Sequence, residues 1–105
     1  MKRVIEGVRY DTENAINIGG VTPNPDRSDF RFYDADLYRT PKSGRYFVAG
    51  EGGPLTVFAT RDDSGMRAPG KKILPMTREE AFDWAQNHLN TKTIEAEFSD
   101  MIEDA

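Results

Sequence analysis

Between Leu37 and Gly53, two runs of aromatic and branched residues flank Pro41-Lys42-Ser43-Gly44. Proline presets φ for a turn, and glycine accepts the positive φ at which a chain reverses. The pattern predicts a β-hairpin with a loop of about four residues. With Thr40 opposite Arg45, Tyr38 faces Phe47 on one side of the ribbon. Leu37 then faces Val48 on the other side, beside Arg39 and Tyr46. Upstream, Val4, Ile5, Val8 and Tyr10 make Lys2 to Tyr10 extended, and Gly7 divides it into two short strands or marks a bulge. Asp11 or Thr12 is placed to cap a short helix running through Ala15 and Ile18 and stopped by Gly19-Gly20. Pro23 and Pro25 forbid helix across Val21 to Ser28, which reads as a surface loop. Phe30 and Phe32 alternate with Arg31 as in a half-buried strand over Asp29 to Tyr33. The phase then slips to Tyr33, Ala35 and Leu37, which predicts a bulge or bend over Tyr33 to Asp36.

After the hairpin, Gly50, Gly52 and Gly53 let the backbone leave the sheet sharply. Pro54 followed by Leu55, Phe58 and Ala59 has the spacing of a short helix, although Thr56, Val57 and Thr60 favour a strand. Arg61 to Gly70 reads as a polar, mobile loop, and Lys71 to Met76 as a short strand. Thr77 and Glu80 match a capping box. The helix behind it carries Ala81, Phe82, Ala85 and Leu89 inward, with Trp84 and His88 on its flank. Asn90 to Thr93 breaks that helix, and Thr93 caps a last one bearing Ile94, Phe98, Met101 and Ile102 opposite an acidic face. The fold expected is α+β over residues 1–105 as one domain: a small antiparallel sheet built on the central hairpin, with two C-terminal helices packed on one face.

Composition narrows the chemistry. The chain has no cysteine, so thiolate catalysis, disulfides and cysteine-ligated metals are excluded. The basic start Met1-Lys2-Arg3 has no apolar stretch behind it, so no signal peptide is expected, and no apolar run reaches membrane-spanning length. A cytoplasmic location is the expectation. A net charge of -4 disfavours non-specific binding to phosphate backbones.

Candidate chemistry is sparse. Asp34 and Asp36 share one side of a strand, where they would resist edge-to-edge pairing; they are too few to hold a metal. Gly50-Glu51-Gly52-Gly53 lacks the Lys-Ser/Thr pair of a phosphate-binding loop. His88, the single histidine, has no nucleophile in a recognisable context beside it. No cofactor or metal is therefore expected, nor is catalysis. Arg31, Arg39 and Arg45, with Tyr38 and Tyr46, could stack on single-stranded bases; this is the alternative reading, a nucleic-acid-binding accessory protein of a mobile element. Glu95, Glu97, Asp100, Glu103 and Asp104 form a stretch without a base. Carboxylates on one helix face recur at about 5.4 Å, comparable with the spacing of backbone phosphates, so this stretch could imitate DNA.

Several stretches together carry a resemblance: Val4-Ile5-Glu6-Gly7-Val8-Arg9-Tyr10-Asp11-Thr12, Leu37-Tyr38-Arg39-Thr40, Gly44-Arg45-Tyr46-Phe47 with Gly50 to Leu55, and Ile73 to Thr77 with Glu79-Glu80-Ala81 and Trp84-Ala85. The layout resembles a group of small uncharacterised proteins of bacteria and mobile elements, and small acidic proteins of this kind resemble anti-CRISPR inhibitors of phages and plasmids. That resemblance implies a non-enzymatic binder of a CRISPR effector complex that blocks target DNA. Its partner-binding residues are expected among Glu95, Glu97, Asp100, Glu103 and Asp104, with Asp34 and Asp36 as a second patch. The partner is expected to be a protein with a basic surface.

Overall fold

Strand β5 (Tyr46–Gly52) runs through the middle of the molecule, and six of its seven residues are buried. A computed structural model describes residues 1–105. The expected hairpin is present: β4 (Tyr33–Arg39) pairs antiparallel with β5, with Leu37 opposite Val48, Tyr38 opposite Phe47 and Arg39 opposite Tyr46. Thr40 closes the turn by donating its N–H to the Arg45 carbonyl at 2.8 Å, and Gly44 takes φ 66°. Strand β8 (Gly70–Met76) adds to the other side of β5, and β3 (Ile16–Val21) to the outer side of β4. The result is a four-stranded antiparallel sheet in the order β3-β4-β5-β8, with two C-terminal helices.

The sheet is covered on both faces. One face, with Ala35, Leu37, Tyr46 and Val48, packs against Ala81 and Ala85 of α1 (Arg78–His88) and Phe98 of α2 (Thr91–Phe98). Phe58 completes that core beyond the helices. The other face carries Phe47, Ala49 and Ile73 beneath Tyr10, which belongs to an N-terminal hairpin of β1 (Lys2–Ile5) and β2 (Val8–Asp11). Phe47 is the centre of that second layer. Tyr38 stacks on it at 5.2 Å between centroids and Tyr10 meets its edge at 5.3 Å, geometries worth about 0.5–1.5 kcal/mol each beyond area burial. Gly7, at φ 80°, makes the turn between β1 and β2, so Lys2 to Tyr10 is two strands.

Several expectations are corrected. No helix runs from Thr12 to Ile18: the Asp11 carboxylate caps only a turn at Thr12–Asn14, accepting from the Glu13 N–H at 3.0 Å. The β-branched Ile16, Ile18 and Val21 then enter the sheet as edge strand β3. Gly19 and Gly20 sit inside that strand at close approaches: a Cβ on Gly19 would lie 3.0 Å from a Leu89 methyl, and one on Gly20 1.8 Å from Asp36 Oδ1. The expected strand over Asp29 to Tyr33 is a turn up to Phe32, because the Asp29 carboxylate takes the Arg31 N–H at 2.7 Å and the Asp29 carbonyl takes the Phe32 N–H at 3.0 Å. The phase slip at Tyr33 is therefore the start of β4 rather than a bulge in it, and the register irregularity lies in β3, between Asn17 and Gly19.

Pro54 to Ala59 is not a helix either. The Thr56 hydroxyl donates to the Gly53 carbonyl at 2.8 Å and accepts from the Phe58 N–H at 3.3 Å, replacing helical bonds with tight turns. Only Thr60–Arg61 (β6) is extended, pairing with Arg67–Ala68 (β7). The segment read as a mobile loop is this hairpin. Its turn is organised by the Asp62 carboxylate, which accepts from the Ser64 and Met66 N–H groups, both at 3.0 Å. Arg67 spans back to the turns before it, donating from Nε to the Pro54 carbonyl at 2.6 Å and from Nη2 to the Thr56 carbonyl at 3.1 Å. The Thr77–Glu80 capping box opens α1 as expected. Helix α2 is capped by Asn90, whose side-chain oxygen accepts from the Thr93 N–H at 2.8 Å; Thr93 is one turn inside.

Gly50 lets β5 approach both β4 and the Phe58 ring closely. A Cβ there would lie 2.6 Å from the Asp34 carbonyl oxygen and 2.6 Å from Phe58 Cζ. Gly50→Ala is expected to destabilise the protein by about 1–3 kcal/mol, the range for overpacking, as a lowered urea midpoint with an unchanged slope.

Candidate partner-binding surface

Charge is unevenly divided between the layers. Residues 77–105 hold eight of the eighteen carboxylates but only two of the fourteen cations, Arg78 and Lys92. The five acidic residues singled out at the C-terminus fall into two groups.

Glu97 and Asp100 are engaged within the fold. Glu97 is largely buried where α2 crosses the sheet: its Oε2 accepts from Arg39 Nε at 2.8 Å and from the Tyr46 hydroxyl at 2.6 Å. Burial, with Glu97 as acceptor beside it, pushes the Tyr46 phenol up. Asp100 takes two parallel bonds from Arg78, both at 2.6 Å, a geometry that fits guanidinium to carboxylate. The pairing holds the Asp100 carboxyl below the usual carboxylate range and raises the Arg78 guanidinium. Arg78 also lies over the Phe98 ring, 6.0 Å from its centroid. These contacts join the end of α2 to the sheet and to the start of α1.

Glu95, Glu103 and Asp104 are exposed and enter no ion pair. Glu95 and Glu103 flank a groove of about 410 Å³ between α1 and the chain from α2 onward, whose apolar lining is Phe82, Ile94, Met101 and Ile102. Gln86 and Thr91 complete it. Glu79 precedes Phe82 by three residues on α1, which puts it on the same helix side; it too is exposed and unpaired. The groove thus has an apolar floor and a rim of carboxylates with no cation of their own.

The second acidic patch lies on the opposite face of the sheet. Asp34 and Asp36 open onto a cleft of about 390 Å³ with Tyr38 and Glu51. Asp34 accepts from the Thr22 hydroxyl at 3.1 Å, and Glu51 is bridged to Arg27 at 3.4 Å and Lys71 at 3.8 Å. Burial and the Asp34 charge push the Asp36 carboxyl up, and Asn17 partly offsets them. No group of three or more histidine and carboxylate side chains is arranged to hold a metal ion.

The residues of the nucleic-acid reading are dispersed. Tyr46 is buried and Arg39 is bonded to Glu97 on the helix-covered face, whereas Tyr38 stacks on Phe47 on the other. Arg31 and Arg45 are exposed in turns at opposite ends of the β4–β5 ribbon. His88 packs against Trp84, 4.6 Å between centroids, at the end of α1. No helix is long and apolar enough to cross a membrane. No family model, curated protein or solved structure matches the chain.

The groove was not among the expectations. Its sequence signal is the spacing of Phe82 and Gln86 against Ile94, Glu95 and Ile102, which reads equally well as two helices packed on a sheet.

Two predictions separate structural from free carboxylates. Glu97→Ala leaves the Tyr46 hydroxyl and the Arg39 guanidinium without their acceptor and is expected to cost about 1.5–3 kcal/mol, the range for hydrogen bonds to a charged group; Asp100→Ala, at an exposed pair, is expected to cost clearly less. Paired urea titrations measure the difference. Asp36 has a folded-state value above its unfolded value of 3.8, so its ionisation opposes folding, and that penalty develops as pH rises from the unfolded value through the folded one. Asp36→Asn is expected to raise Tm at pH 7, with the gain shrinking toward zero below pH 3.8.

Proposed function

We propose that this chain is a non-enzymatic acidic interaction protein that docks on a basic protein surface, and that its partner is a CRISPR effector complex whose access to target DNA it blocks. The observation that supports docking is the groove between α1 and α2, where exposed carboxylates without intramolecular partners, Glu95 and Glu103, border Phe82, Ile94, Met101 and Ile102. An uncompensated acidic rim steers a cationic partner into place, and an apolar floor holds it once water is displaced. The effector as partner is supported by the sequence resemblance and by the concentration of carboxylates in the helical layer. Glu95, Glu103 and Asp104, with Glu79, carry the contact in this reading; Glu97 and Asp100 hold the end of α2 in place through Arg39, Tyr46 and Arg78.

The test is a mobility-shift assay of target DNA binding by purified CRISPR effector complexes of several types, with and without the protein. Inhibition of at least one effector is expected. The combined variant Glu79→Lys, Glu95→Lys, Glu103→Lys should slow association about tenfold or more while its circular dichroism and Tm stay native. Full inhibition by that folded variant, or no inhibition of any effector by the wild type, refutes the proposal.

A further inference from the structure

We infer that the α1–α2 groove seats a basic amphipathic helix supplied by the partner, which packs on the helical layer as a third helix. The inference rests on the reading of this layer as the partner-facing surface and adds the shape of what binds. Three features carry it. The floor is apolar, so the inserted side chains are apolar. Glu95 and Glu103, which line the groove, have no ion pair, so the inserted segment carries Lys or Arg beside its apolar stripe. The groove is bordered by α1, α2, the short turn Ser99–Met101 and the two residues Ile102 and Glu103 behind it, and by no strand of a sheet.

That last point selects the element. An extended segment lying there would find only the two residues Ile102 and Glu103 to pair with and would leave most of its N–H and C=O groups unpaired where the floor excludes water. A helix satisfies its own backbone and presents side chains at i, i+3, i+4 and i+7, the spacing that fills a trough between two helices. Glu95 and Glu103 then face the cations beside the stripe.

The probes are two synthetic peptides of about 15 residues, long enough for helix formation on binding, with identical leucine and lysine content. One has leucine at i, i+3, i+4 and i+7; the other alternates leucine and lysine. Fluorescence anisotropy in 150 mM salt is expected to show the helical pattern binding at least tenfold tighter, with a gain in helical circular dichroism. Ile102→Asp, at an exposed position beyond α2, should abolish that preference, and Glu95→Lys, Glu103→Lys should weaken binding of both peptides. Equal affinities, a preference for the alternating peptide, or binding indifferent to Ile102→Asp overturns the inference. If neither peptide binds while the triple charge reversal still relieves effector inhibition, the helical occupant is wrong and the acidic docking surface stands.

Discussion

Strand β5 has no face turned to water, and the architecture follows from that constraint. Tyr46, Phe47, Val48 and Ala49 are successive buried side chains, so each face of the ribbon requires its own cover. The helices and Phe58 supply it on one side, and the N-terminal hairpin supplies it through Tyr10 on the other. A chain of this size buries only about 60–65% of its unfolded surface. Spending both faces of one strand on packing leaves the outer strands, the turns and the backs of the helices to meet solvent and partners.

The helical cover is aligned by polar contacts as well as by apolar packing. Glu97 bonds to Arg39 and Tyr46 from two strands of the sheet, and Asp100 bonds to Arg78 at the start of α1. These bonds withdraw two carboxylates from the acidic stretch and fix the rotation of α2. Glu95 and Glu103 are left along the groove. Negative charge in this layer therefore has two separate uses, one in orienting α2 and one in the surface it exposes.

Much of the fold was legible because its determinants are local. The β4–β5 register follows from the turn at Pro41 to Gly44, and the capping box of Thr77 and Glu80 is a four-residue signal. The misread segments are those where a side chain captures the backbone or where tertiary packing overrides spacing. Asp29 and Thr56 each divert a chain with strand-like or helix-like periodicity into turns. Gly19 and Gly20 looked like a helix stop, but their purpose is contact with Leu89 and Asp36, both distant in sequence. The expected architecture covered one face of the hairpin only, although the unbroken apolar run Tyr46 to Ala49 is buried on both sides. Which of the C-terminal carboxylates are free was not legible, since it depends on Arg39, Tyr46 and Arg78 arriving from elsewhere.

The region around Phe58 stands apart in how it is held. Its turns share no ladder with the main sheet, and the β6–β7 hairpin clasps them largely through Arg67, whose bonds to the Pro54 and Thr56 carbonyls cross from one loop to the other. Arg67 thus ties the hairpin to the turns that carry Phe58, while the Phe58 ring itself is anchored in the main core beside Tyr33. The short β6–β7 hairpin and these turns are expected to exchange their amide protons before the strands of the main sheet.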